Sequence, residues 1–280
     1  MLTTQHRIRP LQVSDLHAFL GLTGQDPVVN VFTEYRARVT RLEPKWLGGE
    51  VWGRFAGGQL TGACHVGANL VPVGADASAA TEFGERALAQ GRASSTIFGP
   101  QDAVRELYAV VADEWSTPRE LRWEQPHLEL ARTPAVAPDP LVRLTTMHEL
   151  NILYPSCVAM YTEEVGVSPE EGNAGLYRAR VTQLIARGWS FSRIEHGRVI
   201  FKAEVACATD RAAQIQGVYV PPDRRGEGIA AAGIAAVVQH IQARIAPVAS
   251  LYVNDWNAPA RAAYARCGFV ETARFATVLY

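Results

Sequence analysis

The chain has 280 residues, of which 48% are hydrophobic and 20% charged, and its formal net charge is -1. This is the composition of a globular protein, and the length is enough for two domains. The balanced charge gives no general attraction to nucleic acid or to an anionic membrane, and no apolar run reaches the roughly 18 residues that a spanning helix needs. Without a signal peptide at its start, the chain is predicted to be cytoplasmic, a monomer or homodimer that binds neither nucleic acid nor membrane.

A proline-rich segment near the middle of the chain predicts a domain boundary. The stretch "RTPAVAPDP", Arg132 to Pro140, contains three prolines, which interrupt both helices and strands. We predict one domain at 1–133 and a second at 141–280.

The two halves begin with similar patterns. "IRPLQVSDL" (Ile8 to Leu16) aligns without a gap with "VRLTTMHEL" (Val142 to Leu150), and each pattern predicts a short strand followed by an acidic helix start. Further on, each half contains two alternating apolar strands around a glycine turn, at Gly57-Gly58 and at His196-Gly197. The repeated order favours tandem copies of one fold.

The remaining elements alternate between helices and strands in both halves. The first half continues with helix "ATEFGERALA", strand "SSTIFG", helix "QDAVRELYAVVADEW" and strand "ELRWEQPHLEL". The second continues with strand "AAQIQGVYV", a glycine loop, a helix from about Ile229 to Arg244, strand "ASLYVND", helix "NAPARAAYARC" and a last strand "GFVETARFATVLY". We predict an α/β (α+β) protein in which each half is a mixed, mostly antiparallel sheet flanked by helices.

The glycine loop "PPDRRGEGIA" of the second half predicts an anion site. It leads from a strand into a helix, whose first N–H groups lack partners and carry the positive end of the helix dipole. Gly226 and Gly228 allow close approach of a ligand to the backbone, and Arg224 and Arg225 can donate hydrogen bonds to phosphate.

Other interpretations of this loop remain open from the loop alone. The Walker pattern is absent, which argues against a nucleoside triphosphatase. Gly226, Gly228 and Ala231 formally satisfy the dinucleotide pattern GxGxxG/A, yet five residues separate the strand from the first glycine, where that fold makes an immediate turn. A purely structural turn is the third interpretation.

The next helix carries two further candidates. Asn257 precedes it as a predicted N-cap, and Gly268 ends it. Tyr264 lies within the helix, and its phenol is a possible proton donor, although a tyrosine at this place can equally belong to the core.

Together, "QGVYVPPDRRGEGIAAAGIAAVV" and "LYVNDWNAPARAAYARCGF" resemble the Gcn5-related N-acetyltransferase (GNAT) superfamily over roughly Val142 to Tyr280. Arg225, Gly228 and Ala230 match its [Q/R]-x-x-G-x-[G/A] signature. The whole chain also resembles actinobacterial proteins that join an uncharacterised N-terminal half to such a domain, through "DPVVNVF", "GANLVPV", "AMYTEEVGVSP" and "FKAEV".

The resemblance implies acetyl transfer from acetyl-coenzyme A to a primary amine of a small molecule, a peptide or a protein, without a covalent intermediate. It implies that Tyr264 protonates the departing thiolate, that Asn257 hydrogen-bonds the cofactor arm, and that main-chain groups of Val218 and Val220 hold the pantetheine and acetyl portions. It implies that the pyrophosphate is held by the segment Arg225, Gly226, Glu227, Gly228, Ile229 and Ala230.

The general base is not evident from this resemblance. Gln214 occupies the place where many members have a glutamate, so Glu204 on the preceding strand, or Glu163 and Glu164, become candidates, each with a structural salt bridge as the alternative. The position of Gln214 keeps open a non-catalytic coenzyme-A-binding or sensing module.

Two expectations concern what the chain lacks. The four cysteines form no CxxC pair and the seven histidines show no ligand spacing, so we expect free buried thiols and no metal. The first half is predicted to be a degenerate GNAT-like domain, because no RxxGxG/A element follows its "GACHVGANLVPVGADA".

Overall fold

A computed structural model describes residues 7–171 and 174–280. Its strands are β1 (Arg7–Pro10), β2 (Glu50–Ala56), β3 (Gln59–Val66), β4 (Asn69–Val73), β5 (Thr96–Pro100), β6 (Glu120–Leu130), β7 (Arg143–Leu144), β8 (Ser190–Glu195), β9 (Arg198–Ala208), β10 (Ala212–Tyr219), β11 (Val248–Tyr252) and β12 (Val270–Leu279). Its α-helices are α1 (Leu16–Thr23), α2 (Val31–Thr40), α3 (Pro44–Leu47), α4 (Ala77–Gln90), α5 (Gln101–Val111), α6 (Leu150–Val165), α7 (Ala174–Ala186), α8 (Ile229–Arg244) and α9 (Ala258–Cys267).

The chain divides into two compact units. Unit 1 contains the residues up to His127 together with Tyr252–Trp256 and Glu271–Tyr280, and unit 2 contains Leu128–Leu251 and Asn257–Val270. The predicted domains at 1–133 and 141–280 place both of these C-terminal segments in the second domain, whereas the observed division places them in unit 1. The reason is strand pairing, because β12 pairs antiparallel with β5.

Each unit is built on a mixed sheet. In unit 1 the strand order is β1-β2-β3-β4-β5-β12-β6, and in unit 2 it is β11-β10-β9-β8-β7. One parallel pair is described in each unit, β4 with β5 and β10 with β11, while the other described pairs are antiparallel. The predicted mixed, mostly antiparallel sheets are thus confirmed.

The two units begin with the same local structure. In unit 1, Gln12 and Asp15 form a capping box around a short 3-10 helix, and Arg9 Nη1 donates to Asp15 Oδ2 at 2.7 Å. In unit 2 the corresponding capping box joins Thr146 to Glu149, and Arg143 Nη1 donates to Glu149 Oε2 at 2.8 Å. The aligned residues of the two halves therefore make equivalent contacts.

The predicted hairpins are equivalent as well. Gly57 and Gly58 of the β2–β3 turn have φ values of +57° and +83°, and His196 and Gly197 of the β8–β9 turn have +49° and +74°. Positive φ at both central residues gives the turn that suits the twist of a hairpin. Each hairpin also contains a register shift close to its turn.

Apolar side chains between sheet and helices form the cores. In unit 1 the largest buried group surrounds helices α4 and α5, with Trp52, Phe83, Ile97, Leu107 and Val278 among its members. In unit 2 the cluster beneath α6 and α7 contains Leu153, Cys157, Val181, Ile185 and Val199. On the other face of that sheet, α8 packs so closely that a Cβ on Gly233 would lie 2.6 Å from the Phe201 ring.

Candidate functional site

The candidate site begins where the two parallel strands of unit 2 separate. Their register runs from Ala212 opposite Val248 to Gln214 opposite Ser250, whereas β10 continues to Tyr219. Beyond Gln214, β10 keeps only β9 as its described partner. Val218 and Val220, to which the resemblance to GNAT proteins assigns the coenzyme arm, follow this divergence along the chain.

A β-bulge shapes the free part of β10. Gln216 pairs with Glu204 and Tyr219 pairs with Lys202, so Gly217 and Val218 together stand opposite the single residue between Lys202 and Glu204. Gly217 has a φ of +62°, a conformation that favours glycine. The bulge turns the main chain of Val218, which is half-buried, out of the regular ladder.

The loop that follows β10 leaves the start of α8 open. Gly228 is the N-cap residue at φ +81°, and no side chain among the described residues caps the helix. A Cβ built on Gly226 or on Gly228 would have no described atom within 4 Å. The first N–H groups of α8, from Ile229 and Ala230 onward, therefore lie at a helix N-terminus beside open space, as an anion site requires.

The two arginines of the loop already have partners. Arg225 donates from Nε to the Val220 carbonyl at 3.0 Å and from Nη2 to Glu163 Oε2 on α6 at 2.7 Å. Arg224 donates to the Glu227 carboxylate, at 3.0 Å from Nε to Oε1. The predicted pyrophosphate ligand Arg225 thus lies in the loop, but its guanidinium is paired with a carboxylate, and the Val220 carbonyl is already an acceptor.

The two candidates on α9 differ in their surroundings. Asn257 Oδ1 accepts a hydrogen bond from the Ala260 N–H at 3.2 Å, so Asn257 is the N-cap that the sequence predicts. Tyr264 is buried, and its ring lies edge-on against Phe269 with 6.0 Å between centroids. Burial raises the pKa of Tyr264 well above its ordinary value, and the charge of Glu164 adds to this rise.

Glu204 lies opposite the bulge and forms a buried ion pair. Its Oε1 accepts from Lys202 Nζ at 2.6 Å, and its Oε2 accepts from Gln216 Nε2 at 3.2 Å. Lys202 is 1% exposed and Glu204 5%. Cys157 on α6 approaches the same carboxylate, with 3.9 Å between Sγ and Oε1. Glu204 therefore lies opposite the bulge, while Gln214 is buried three residues before Gly217.

Sequence reasoning missed Lys202 and Gly217. A signal was available, because "VIFKAEVACA" places a lysine and a glutamate two residues apart in an otherwise apolar strand, and side chains two apart share one face. Two opposite charges on the same face of a buried strand predict an ion pair.

The corresponding helix of unit 1 begins with a side-chain cap. Helix α4 is capped by Asp76, whose Oδ1 accepts from the Ala79 N–H at 2.8 Å. A carboxylate therefore occupies the helix N-terminus that α8 leaves open. The parallel strands β4 and β5 also separate early, after Leu70 opposite Ile97.

Three further observations concern the described part of the chain. All four cysteines are free and buried, as predicted. Within residues 7–171 and 174–280, three or more His, Cys, Asp or Glu side chains nowhere gather into a group that could hold a metal ion. Over the same ranges, every helix is too short or too polar to cross a membrane.

Two parts of the sequence match known families. Residues 185–269 match the acetyltransferase (GNAT) family, and residues 49–153 match a domain of unknown function, DUF4081. No curated protein matches the sequence significantly.

Solved structures match nearly the whole chain. A GNAT-family acetyltransferase from Colwellia psychrerythraea is 16% identical with a TM-score of 0.56 and covers 98% of this chain and 99% of its own. A GCN5-related N-acetyltransferase from Sphaerobacter thermophilus is 15% identical with a TM-score of 0.59, covering 99% and 96%. A tandem GNAT protein from the clavulanic acid biosynthesis pathway is 14% identical with a TM-score of 0.55, covering 98% of each chain. The chain thus has the tandem GNAT fold, and its segment 185–269 is a match to the acetyltransferase (GNAT) family.

Proposed function

We propose that the protein is an N-acetyltransferase that moves an acetyl group from acetyl-coenzyme A to a primary amine of a small molecule, a peptide or a protein. The observation that carries the proposal is the glycine loop before α8, which leaves uncapped N–H groups beside open space within the segment that matches the GNAT family. Such a helix start suits a pyrophosphate.

The residues around the loop fit the coenzyme. The N–H groups of the segment from Arg225 to Ala230 are proposed to bind the pyrophosphate, with the Arg225 guanidinium leaving Glu163 to join them. The main chains of Val218 and Val220 are proposed to hold the arm beside the bulge. Because Asn257 uses its oxygen as a helix cap, its amide nitrogen is the group proposed to donate to the arm.

The main requirement of this reaction is that the protein orients its two substrates. Acetyl-coenzyme A supplies an activated thioester, so the protein needs to place the amine and move protons. Glu204 is proposed to take the proton that the amine loses as the N–C bond forms. The Tyr264 hydroxyl is proposed to donate its proton to the sulfur as the C–S bond breaks, and the raised pKa of Tyr264 keeps this hydroxyl protonated at neutral pH.

We further propose one coenzyme site per chain, in unit 2. The support is the contrast between the two corresponding helices, since α8 begins at an uncapped glycine and α4 at the Asp76 carboxylate. A carboxylate at the helix start repels a phosphate, and it already accepts the N–H hydrogen bond that the phosphate would need.

Calorimetric titration with coenzyme A, followed by a free-thiol assay with acetyl-coenzyme A and a panel of primary amines, tests the proposal. We expect one site per chain and amine-dependent thiol release. Binding without thiol release for any amine would favour the non-catalytic coenzyme-A-binding or sensing module that Gln214 keeps open. Absence of coenzyme binding would refute both, and a stoichiometry of two would refute the single site.

A further inference from the structure

The Lys202–Glu204 ion pair packs directly against the backbone of the β10 bulge. A Cβ built on Gly217 would lie 3.2 Å from Glu204 Cδ, from Glu204 Oε2 and from Lys202 Nζ. Both charged groups therefore pack against the backbone of the bulged residue. The Gln216 side chain, at the other end of the bulge, donates to the same carboxylate.

Two helices enclose the pair from the side opposite α8. Since Phe201 contacts α8, its neighbour Lys202 points to the other face of the sheet, where Cys157 of α6 approaches the Glu204 carboxylate. Tyr177 of α7 donates from its hydroxyl to the Cys157 carbonyl at 3.0 Å. The bulge is thus connected through one polar cluster to α6 and α7.

A buried ion pair is a costly way to fill a core. Desolvation of two charges often exceeds their attraction, and well-packed apolar residues stabilise a fold at least as well. Burial is the largest single influence on the Lys202 ammonium and lowers its pKa, but the charges and hydrogen bonds of Glu204 and Cys157 together raise the pKa above its ordinary value. Lys202 therefore stays charged, and the pair keeps its geometry as long as both partners are present.

We propose that the Lys202–Glu204 pair fixes the shape of the β10 bulge and that Lys202 is thereby a positioning residue for the pantetheine arm of the coenzyme. The inference rests on the proposed function, in which the main chain of Val218 holds that arm. Lys202 acts through Glu204 and Gly217 and does not itself touch the coenzyme.

The test uses the full chain with both charges removed, Lys202→Met together with Glu204→Gln. The double variant avoids the lone buried charge that Lys202→Met would leave, so its thermal midpoint should stay close to that of the wild type. The matched control removes the pair of unit 1 in the same way, Arg54→Met with Glu82→Gln, since Arg54 Nη2 lies 2.7 Å from Glu82 Oε1 and Arg54 is buried.

Each protein is titrated with acetyl-coenzyme A and with 3′-phosphoadenosine 5′-diphosphate, the nucleotide and pyrophosphate part without the arm. We expect the double variant to bind acetyl-coenzyme A at least fivefold more weakly and the nucleotide within twofold of the wild type, with both affinities unchanged in the control. If the double variant is unfolded, Gly217→Ala decides in its place, because the added Cβ would lie 3.2 Å from both charged groups and require them to move by a few tenths of an ångström.

A smaller change in acetyl-coenzyme A affinity, or an equal loss for both ligands, would overturn the positioning role. These outcomes concern the variants alone. A wild-type chain that binds neither ligand would instead refute the proposed function and, with it, this inference.

Discussion

Replacing Gly228 by tryptophan tests the anion site most directly. Gly228 has a φ of +81°, and the space around a Cβ there is open to 4 Å within the described structure. The Cβ would therefore displace no described atom, and we expect the indole to occupy the space in front of the α8 N-terminus. A non-glycine residue in the left-handed region costs about 1–2 kcal/mol, which corresponds to a fall in thermal midpoint of roughly 3 °C per kcal/mol.

The loss of coenzyme binding should be larger than this strain. A hydrogen bond to a charged group contributes about 1.5–3 kcal/mol, so blocking two N–H groups removes at least about 3 kcal/mol. Since about 1.4 kcal/mol is a tenfold change in affinity, we expect coenzyme A to bind roughly a hundredfold more weakly. Isothermal titration calorimetry measures this change.

Gly58→Trp is the matched control. Gly58 has a φ of +83° and equally open space, but it lies in the β2–β3 turn of unit 1. We expect a similar fall in thermal midpoint and unchanged coenzyme affinity. If Gly228→Trp bound coenzyme A within threefold of the wild type, the helix N-terminus would not be the binding site.

Three further predictions follow from single contacts. Tyr264→Phe should lower the rate of thiol release about a hundredfold with an unchanged coenzyme Kd, and an unchanged rate would remove Tyr264 from the proton-donor role. Glu163→Gln should tighten coenzyme A binding by up to about fivefold, because Arg225 loses a half-exposed ion-pair partner whose interaction energy is no more than about 1 kcal/mol. Weaker binding by this variant would contradict the prediction. Arg143 lowers the pKa of Glu149 from 4.5 to about 2. This pair should therefore stabilise the fold above pH 4.5 and lose that effect as the pH falls toward 2. In urea unfolding, the wild type should be more stable than Glu149→Gln by about 1 kcal/mol at neutral pH, and this difference should be absent at pH 2.

Local features of the fold were predictable from sequence. Helix α8 runs from Ile229 to Arg244 as predicted, and Asn257 and Gly268 begin and end α9. Glycines at positive φ, an asparagine cap and the 3.6-residue period act over a few residues, so the sequence itself contains their cause. The repeat was also visible, because each copy needs the same cap and the same turn.

Contacts between distant segments were not predictable in this way. Arg225 pairs with Glu163, which is 62 positions away, and β12 joins β5 of unit 1. No local propensity specifies either pairing, since both depend on which surfaces the completed sheets bring together. The Lys202–Glu204 pair is intermediate, because its two residues are near in sequence while the burial that makes it significant comes from α6.

The two units share the residues that maintain local structure and differ at the proposed binding site. Both units keep an arginine–carboxylate pair at the first helix start and a hairpin with positive φ at both turn residues, and these contacts stabilise local structure whatever the unit binds. The units differ at the helix after their parallel strand, where Asp76 caps α4 and Gly228 leaves α8 open. An aspartate cap stabilises a helix by only about 0.3 kcal/mol relative to a glycine at the same position. Unit 2 therefore loses little stability at the start of α8, and under the proposed function its open N–H groups are kept for the pyrophosphate of the coenzyme.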